Sequence, residues 1–256
     1  MGRAMHLHLP WTSPVILALG TWLVYVADRI LDGLSVIPGA RLRERHFFYA
    51  RNRHPVLAAA ATVSAVLLWL ILVRMSPVTR REDIALFAVA LLYFFVIHLG
   101  GKLSRIAVER WFPKEAAVAL VFAAAVAVPA WSRVPEHRIE LLPLAVMFAL
   151  LCWLNCVAIE KWEHTHSSSA PAHFTTCLTA RHLRLVSIAI AVLAAVAALR
   201  FLFFGSSSPM TALYGACAIS AILISLLDRS PLDSARLRIA ADAALLTPLL
   251  FLGLLC

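Results

Sequence analysis

Apolar residues run along this chain in long uninterrupted stretches separated by short polar connections. Eight stretches can be marked, at roughly 14–32, 56–74, 83–100, 115–131, 141–160, 184–204, 210–227 and 239–255. Each is close to the roughly 20 residues that a helix needs to cross the hydrocarbon core of a bilayer. The stretches are rich in Ala and Leu and do not alternate apolar with polar, which predicts helices and excludes the strands of an outer-membrane barrel. The widest gap between stretches is too short for a soluble domain. The pattern therefore predicts an all-α polytopic membrane helical bundle of about eight transmembrane helices, a single domain over 1–256.

Composition agrees. Hydrophobic residues make up 62% of the 256 positions and charged residues 14%. A water-soluble globule of this size could not hide so much apolar surface, and a disordered chain would not carry it. The balance of 23 Lys and Arg against 14 Asp and Glu gives +9. In a soluble chain this would point to nucleic acid; here it points to connections on the inner face of a membrane, with no nucleic-acid partner. With the connection after the first stretch placed inside, sixteen Lys and Arg fall on the inner side. Seven fall outside, namely Arg3, Arg74, Arg80, Arg81, Arg133, Arg138 and Arg200. Both termini then lie outside, and the lipid bilayer is the first partner. The first stretch ends in Asp28, Arg29 and Asp32 and lacks a cleavage site, so it reads as a span and not a signal peptide. The five cysteines are scattered and do not make a disulfide framework.

Ionisable residues in membrane segments are costly and raise a functional question wherever they occur. Asp28 and Asp32 are four apart and share a helix face, with Tyr25 one turn earlier. Two carboxylates so placed can hold Mg²⁺, which takes one or two carboxylates and leaves its other positions to water and phosphate oxygens. A charged helix end that snorkels to the headgroups is the other reading. The fifth stretch closes similarly, in Asn155-Cys156-Val157-Ala158-Ile159-Glu160-Lys161-Trp162-Glu163-His164. Glu160 and Glu163 share a face, either as a second metal site or as an interfacial end with a Trp anchor. Arg51-Asn52-Arg53-His54-Pro55 follows a long basic connection, where arginine forks could clamp phosphate. Asp228-Arg229 and Asp233, after the seventh stretch, read as helix capping with Pro231 as the breaker. His98, Cys152 and Cys217 read as packed residues. The pairs His6/His8 and His164/His166 are weak metal candidates, and Ser167–Ser169 marks a flexible inner connection.

These residues resemble the UbiA superfamily of intramembrane prenyltransferases. Asp28-Arg29-Ile30-Leu31-Asp32 is similar to the second half of the family's N-D-x-x-D-x-x-x-D motif, with Val24 and Tyr25 where Asn and Asp would stand. Arg51 through Pro55 is similar to its later R-x-x-R-P segment. Asn155 through Glu163 stands where the second acidic motif would fall, and Thr176-Cys177-Leu178-Thr179-Ala180-Arg181 is similar to a T-L-A-x-R stretch. The family has nine helices, of which this chain lacks the first.

The resemblance implies a UbiA-like fold and Mg²⁺-dependent transfer of a prenyl group from a prenyl diphosphate to a hydrophobic acceptor, aromatic or lipid. It also implies an integral protein of a bacterial cell (inner) membrane. Asp28 and Asp32 would bind one Mg²⁺, and Glu160 and Glu163 another. Arg53, Lys161 and Arg181 would neutralise the departing diphosphate, and Tyr25 would face the allylic cation. Two alternatives stand beside this. One is a non-catalytic member of the same fold that binds a lipid or a partner. The other is a transporter with a relay through Asp28, Asp32, Glu160 and Asp242.

Overall fold

The computed structural model of the chain describes residues 7–34, 51–98, 113–164, 174–204 and 208–251. Among these residues the structure is helical and contains no strand. The helices are α1 (Thr12–Leu34), α2 (Arg53–Arg74), α3 (Pro77–His98), α4 (Lys114–Trp131), α5 (Arg138–His164), α6 (Phe174–Arg181), α7 (Leu183–Phe204), α8 (Ser208–Leu227) and α9 (Ser234–Ala244). Short 3₁₀ turns occupy Pro135–His137 and Thr247–Phe251. The chain forms two compact units, one over Leu9–Arg105 and the other made of Met1–His8 with Ile106–Cys256.

Five helical stretches are long and apolar enough to cross a membrane: α2, α4, α5 with the turn before it, α7, and α8 from Pro209. The protein has the build of an integral helical membrane protein. Three of the eight expected stretches stand apart from these five. The apolar part of α1 is the shorter Thr12–Ala27. The first two turns of α3 carry Arg80, Arg81, Glu82 and Asp83. The last stretch is not one helix.

The break in that last stretch has a local cause. α9 stops at Ala244, and a 3₁₀ turn begins at Thr247. The helical donor for the Ala244 carbonyl would be residue 248, a proline, which has no N–H. Ser220 of α8 supplies the missing donor, its Oγ reaching the Ala244 carbonyl at 2.8 Å. Thr247 Oγ1 donates to the Ala216 carbonyl at 2.9 Å and lies 2.6 Å from Ser220 Oγ. Both hydroxyls are buried. Non-helical backbone is thus satisfied by side chains of the neighbouring helix, as it must be where water is excluded.

In the unit within Leu9–Arg105, α1 packs on α2. Arg80 caps the C-terminal end of α2, its Nη2 donating to the carbonyls of Leu72 at 2.8 Å and Met75 at 3.1 Å. Arginines close the α4–α5 turn in the same manner. Arg133 Nη1 donates to the Pro129 carbonyl at 2.6 Å, and Arg138 Nε to the Trp131 carbonyl at 3.2 Å. The Arg138 guanidinium also lies over the Trp131 ring, 5.4 Å from its centroid. A cation at a helix C-terminus is favoured by the dipole and satisfies the orphan carbonyls there. Three of the seven arginines counted against the inner-side excess are therefore local helix caps.

The core of the other unit is built by α5, α7 and α8. On α7 the buried positions Leu183, Ser187, Ile190, Ala191 and Ala194 form one helical stripe, while Leu185, Val192, Val196, Leu199 and Leu202 are exposed. α8 meets that stripe with Ala218, Ala221 and Ile224 among its buried residues. Small residues let the two backbones approach, which replaces the hydrophobic drive that lipid cannot supply between helices. The Phe201 and Tyr214 rings stack between α7 and α8, with centroids 5.6 Å apart. Cys152 and Cys217 are buried, as their apolar surroundings predict. The outward rows of large apolar residues on α2 and α7 would aggregate in water and suit a lipid surface.

Candidate functional site

The C-terminal half of α5 gathers polar residues from four other segments. Two layers can be separated along its axis. In the first, Asn155 Nδ2 donates to Asp242 Oδ1 of α9 at 3.0 Å. The charged neighbours acting on Cys156, one residue further on, are Glu115 and Lys114 of α4, Asp242 of α9 and Glu160 of α5 itself. Thr176 of α6 is buried, and its hydroxyl donates to Glu115 Oε2 at 2.9 Å. Glu115 stands in the first turn of α4, where the helix dipole favours a carboxylate. The second layer closes the end of α5. Lys161 Nζ lies 2.8 Å from both oxygens of Asp228, and Trp162 Nε1 donates to Asp228 Oδ1 at 3.0 Å. Glu163 Oε1 pairs with Arg238 of α9 at 3.7 Å.

The helix capping expected of the Asp228–Asp233 segment is carried by Asp233 alone. Asp233, not Asp228, caps α9, accepting the Arg236 N–H at 2.8 Å. Asp228 instead accepts three hydrogen-bond contacts from the end of α5 (two from Lys161 and one from Trp162), because the turn after α8 returns the chain to that end.

The predicted site residues divide between the two compact units. Tyr25, Asp28, Asp32 and Arg53 belong to Leu9–Arg105; Glu160, Lys161, Glu163 and Arg181 belong to the other. Asp28 and Asp32 lie on α1, but their side chains fall outside the described residues, as do His98 and His164. Residues 165–173, which include the serine run and His166, also fall outside, as does His6. Arg53 is exposed in the first turn of α2, with Nε 3.3 Å from His54 Nε2; the R-N-R-H-P segment thus opens a helix, with Pro55 in the turn that tolerates it. Arg181 is exposed at the end of α6. Glu160 and Glu163 are both half-buried on α5.

Among the described residues no group of three or more His, Cys, Asp or Glu could hold a metal ion. A Mg²⁺ at the end of α5 would have to complete its shell with phosphate oxygens and water, which is its usual habit. Glu115, Thr176 and Asp228 were not singled out as ligands or partners from sequence. Glu115 follows Pro113-Lys114 at a helix start, a signal that was readable. The pairing of Lys161 with Asp228 bridges 67 residues and leaves no local trace. Compared with protein-family models, with curated proteins and with solved structures, the chain matches none.

Proposed function

We propose that this protein is a UbiA-like membrane prenyltransferase of about eight spans, with both termini outside a bacterial cell membrane. It would move a prenyl group from a prenyl diphosphate to a hydrophobic acceptor. The observation that carries the reading is that an acid pair with an adjacent base closes each of two helices, Asp28-Arg29-x-x-Asp32 on α1 and Glu160-Lys161-x-Glu163 on α5. Asp28 with Asp32, and Glu160 with Glu163, would hold Mg²⁺, which supplies neutralising charge for the diphosphate when bound. Arg53 and Arg181 are exposed cations suited to phosphate oxygens. Lys161 reaches the same end of α5, but its ammonium is held by Asp228, so it acts by fixing that end in place. Tyr25 offers a ring face to positive charge developing on the allylic carbon.

The test is diphosphate release by the purified protein given Mg²⁺, a prenyl diphosphate and an aromatic acceptor. Asp28→Ala and Asp32→Ala should each lower the rate by about 100-fold or more, the scale seen when a group stabilising transition-state charge is removed. Release that survives both changes would sink the site assignment. The pairing of Lys161 with Asp228 and of Glu163 with Arg238 favours a second reading, a non-catalytic membrane protein of the same build that binds a lipid or partner. On that reading no release occurs with any acceptor.

A further inference from the structure

The outward row of α7 does not stop where α7 begins. The His182 N–H donates to the carbonyls of Leu178 and Thr179, at 3.1 Å each, so α6 runs into α7 through almost unbroken helical turns. Buried positions follow one another through this corner at spacings of three and four: Thr176, Thr179, Leu183, Ser187 and Ile190. Exposed positions do the same on the other face: Leu178, Arg181, Leu185, Ile188 and Val192. Such spacings keep residues on one side of a helix, so Arg181 stands in line with the lipid-facing row. Arg184 and His182 are exposed beside it. Depth agrees with this placement. α7 is apolar and long enough to cross a membrane, and no charged residue falls between Arg184 and Arg200. At about 1.5 Å of rise per residue, Arg181 and Arg200 are about 28 Å apart, close to the thickness of the hydrocarbon core. The α6–α7 corner therefore lies at one headgroup layer and the exposed Arg200 at the other.

We propose that the α6–α7 corner binds an anionic phospholipid. Arg181 and Arg184 take its phosphate oxygens with their planar forks, and its acyl chains lie along Leu185, Ile188 and Val192. Charge complementarity points to this occupant. No Asp or Glu occurs between Glu163 and Asp228, so α6 and α7 carry no acid of their own. Acids on the neighbouring elements hold other partners: Glu115 accepts from Thr176, Asp228 from Lys161, and Glu163 pairs with Arg238. Among the described residues, the Arg181 and Arg184 side chains form no hydrogen bond or ion pair. They differ in this from Arg80, Arg133 and Arg138, which cap helices, and from Arg236, which pairs with Asp233. Two unshared positive charges at headgroup depth favour a lipid of net negative charge over a zwitterionic one. The inference does not rest on the transferase reading. On it the phosphate that Arg181 meets is a phospholipid's, and Arg53 is the exposed arginine left to the prenyl diphosphate.

The experiment counts lipids bound to the purified protein in detergent by native mass spectrometry, without prenyl substrate. Phosphatidylglycerol and phosphatidylcholine are added at equal concentrations. Phosphatidylglycerol should bind about tenfold more tightly or better, and the preference should shrink as ionic strength rises, a readout that needs no variant. Arg181→Gln combined with Arg184→Gln should remove the preference. Arg200→Gln, which takes away a lone arginine at the far end of α7, should keep it. Equal binding of the two lipids, or a preference that survives the double change, would overturn the site. So would an equal loss in Arg200→Gln, which would mean that any exposed arginine serves. Displacement of phosphatidylglycerol by a prenyl diphosphate would also overturn it, giving the corner to the substrate and leaving the transferase reading in place. If that reading fails instead, no prenyl transfer occurs and the lipid preference is still found.

Discussion

Asp228→Ala is expected to lower the unfolding free energy in detergent by about 2–4 kcal/mol. Asp228 accepts from both Lys161 Nζ and Trp162 Nε1. The Lys161 and Asp228 side chains are 29% and 16% exposed, so the pair is only partly desolvated and its loss falls below that of a fully buried one. Most of the cost is the half-buried ammonium left without a counter-charge, not the attraction itself. The double change Lys161→Met with Asp228→Leu should therefore recover much of the loss. The two variants separate this account from simple surface pairing. If Asp228→Ala costs less than about 0.5 kcal/mol, the usual range for surface substitutions, the lock at the end of α5 is not structural.

Leu154→Ala should cost about 2–4 kcal/mol, against about 0.5 or less for Leu202→Ala. Leu154 is 0% exposed in the core made by α5, α7 and α8, whereas Leu202 is 60% exposed on the outer row of α7. A side chain that faces lipid tails meets an equivalent apolar medium whether or not the helices have assembled, so truncating it changes little. A buried one loses its packing contacts and leaves a cavity. Equal effects at the two positions would mean that the inward and outward faces of the bundle have been assigned wrongly.

Seven of the eight apolar stretches correspond to helices, because a continuous Ala/Leu-rich run of span length has no other stable form in a membrane. The observed helices overrun the apolar runs at several ends. α2 begins at Arg53 where the run begins near 56, and α5 continues to His164 past the run's end near 160. Polar residues there remain helical while leaving the apolar zone. The eighth stretch is interrupted after Ala244, and hydropathy does not register that Pro248 deprives the Ala244 carbonyl of its donor. The eight-residue α6 carries too little apolar pattern to stand out, yet it delivers Thr176 to Glu115. Asn155, Glu160 and Asp242 were legible as polar residues in or beside apolar runs. Glu115 was readable as a helix-start acid and Asp228 as a helix-end acid, but not their partners, since only the fold brings Thr176 to the one and the end of α5 to the other.

The central claim, that the acid-bearing helix ends serve a prenyl diphosphate, is tested most directly by calorimetric titration of the purified protein with a prenyl diphosphate, with and without Mg²⁺. Saturable binding that requires Mg²⁺ and weakens by about tenfold or more in Glu160→Gln is the predicted result, tenfold being about 1.4 kcal/mol. Absence of binding in both conditions, or binding indifferent to Mg²⁺ and to Glu160, would contradict it.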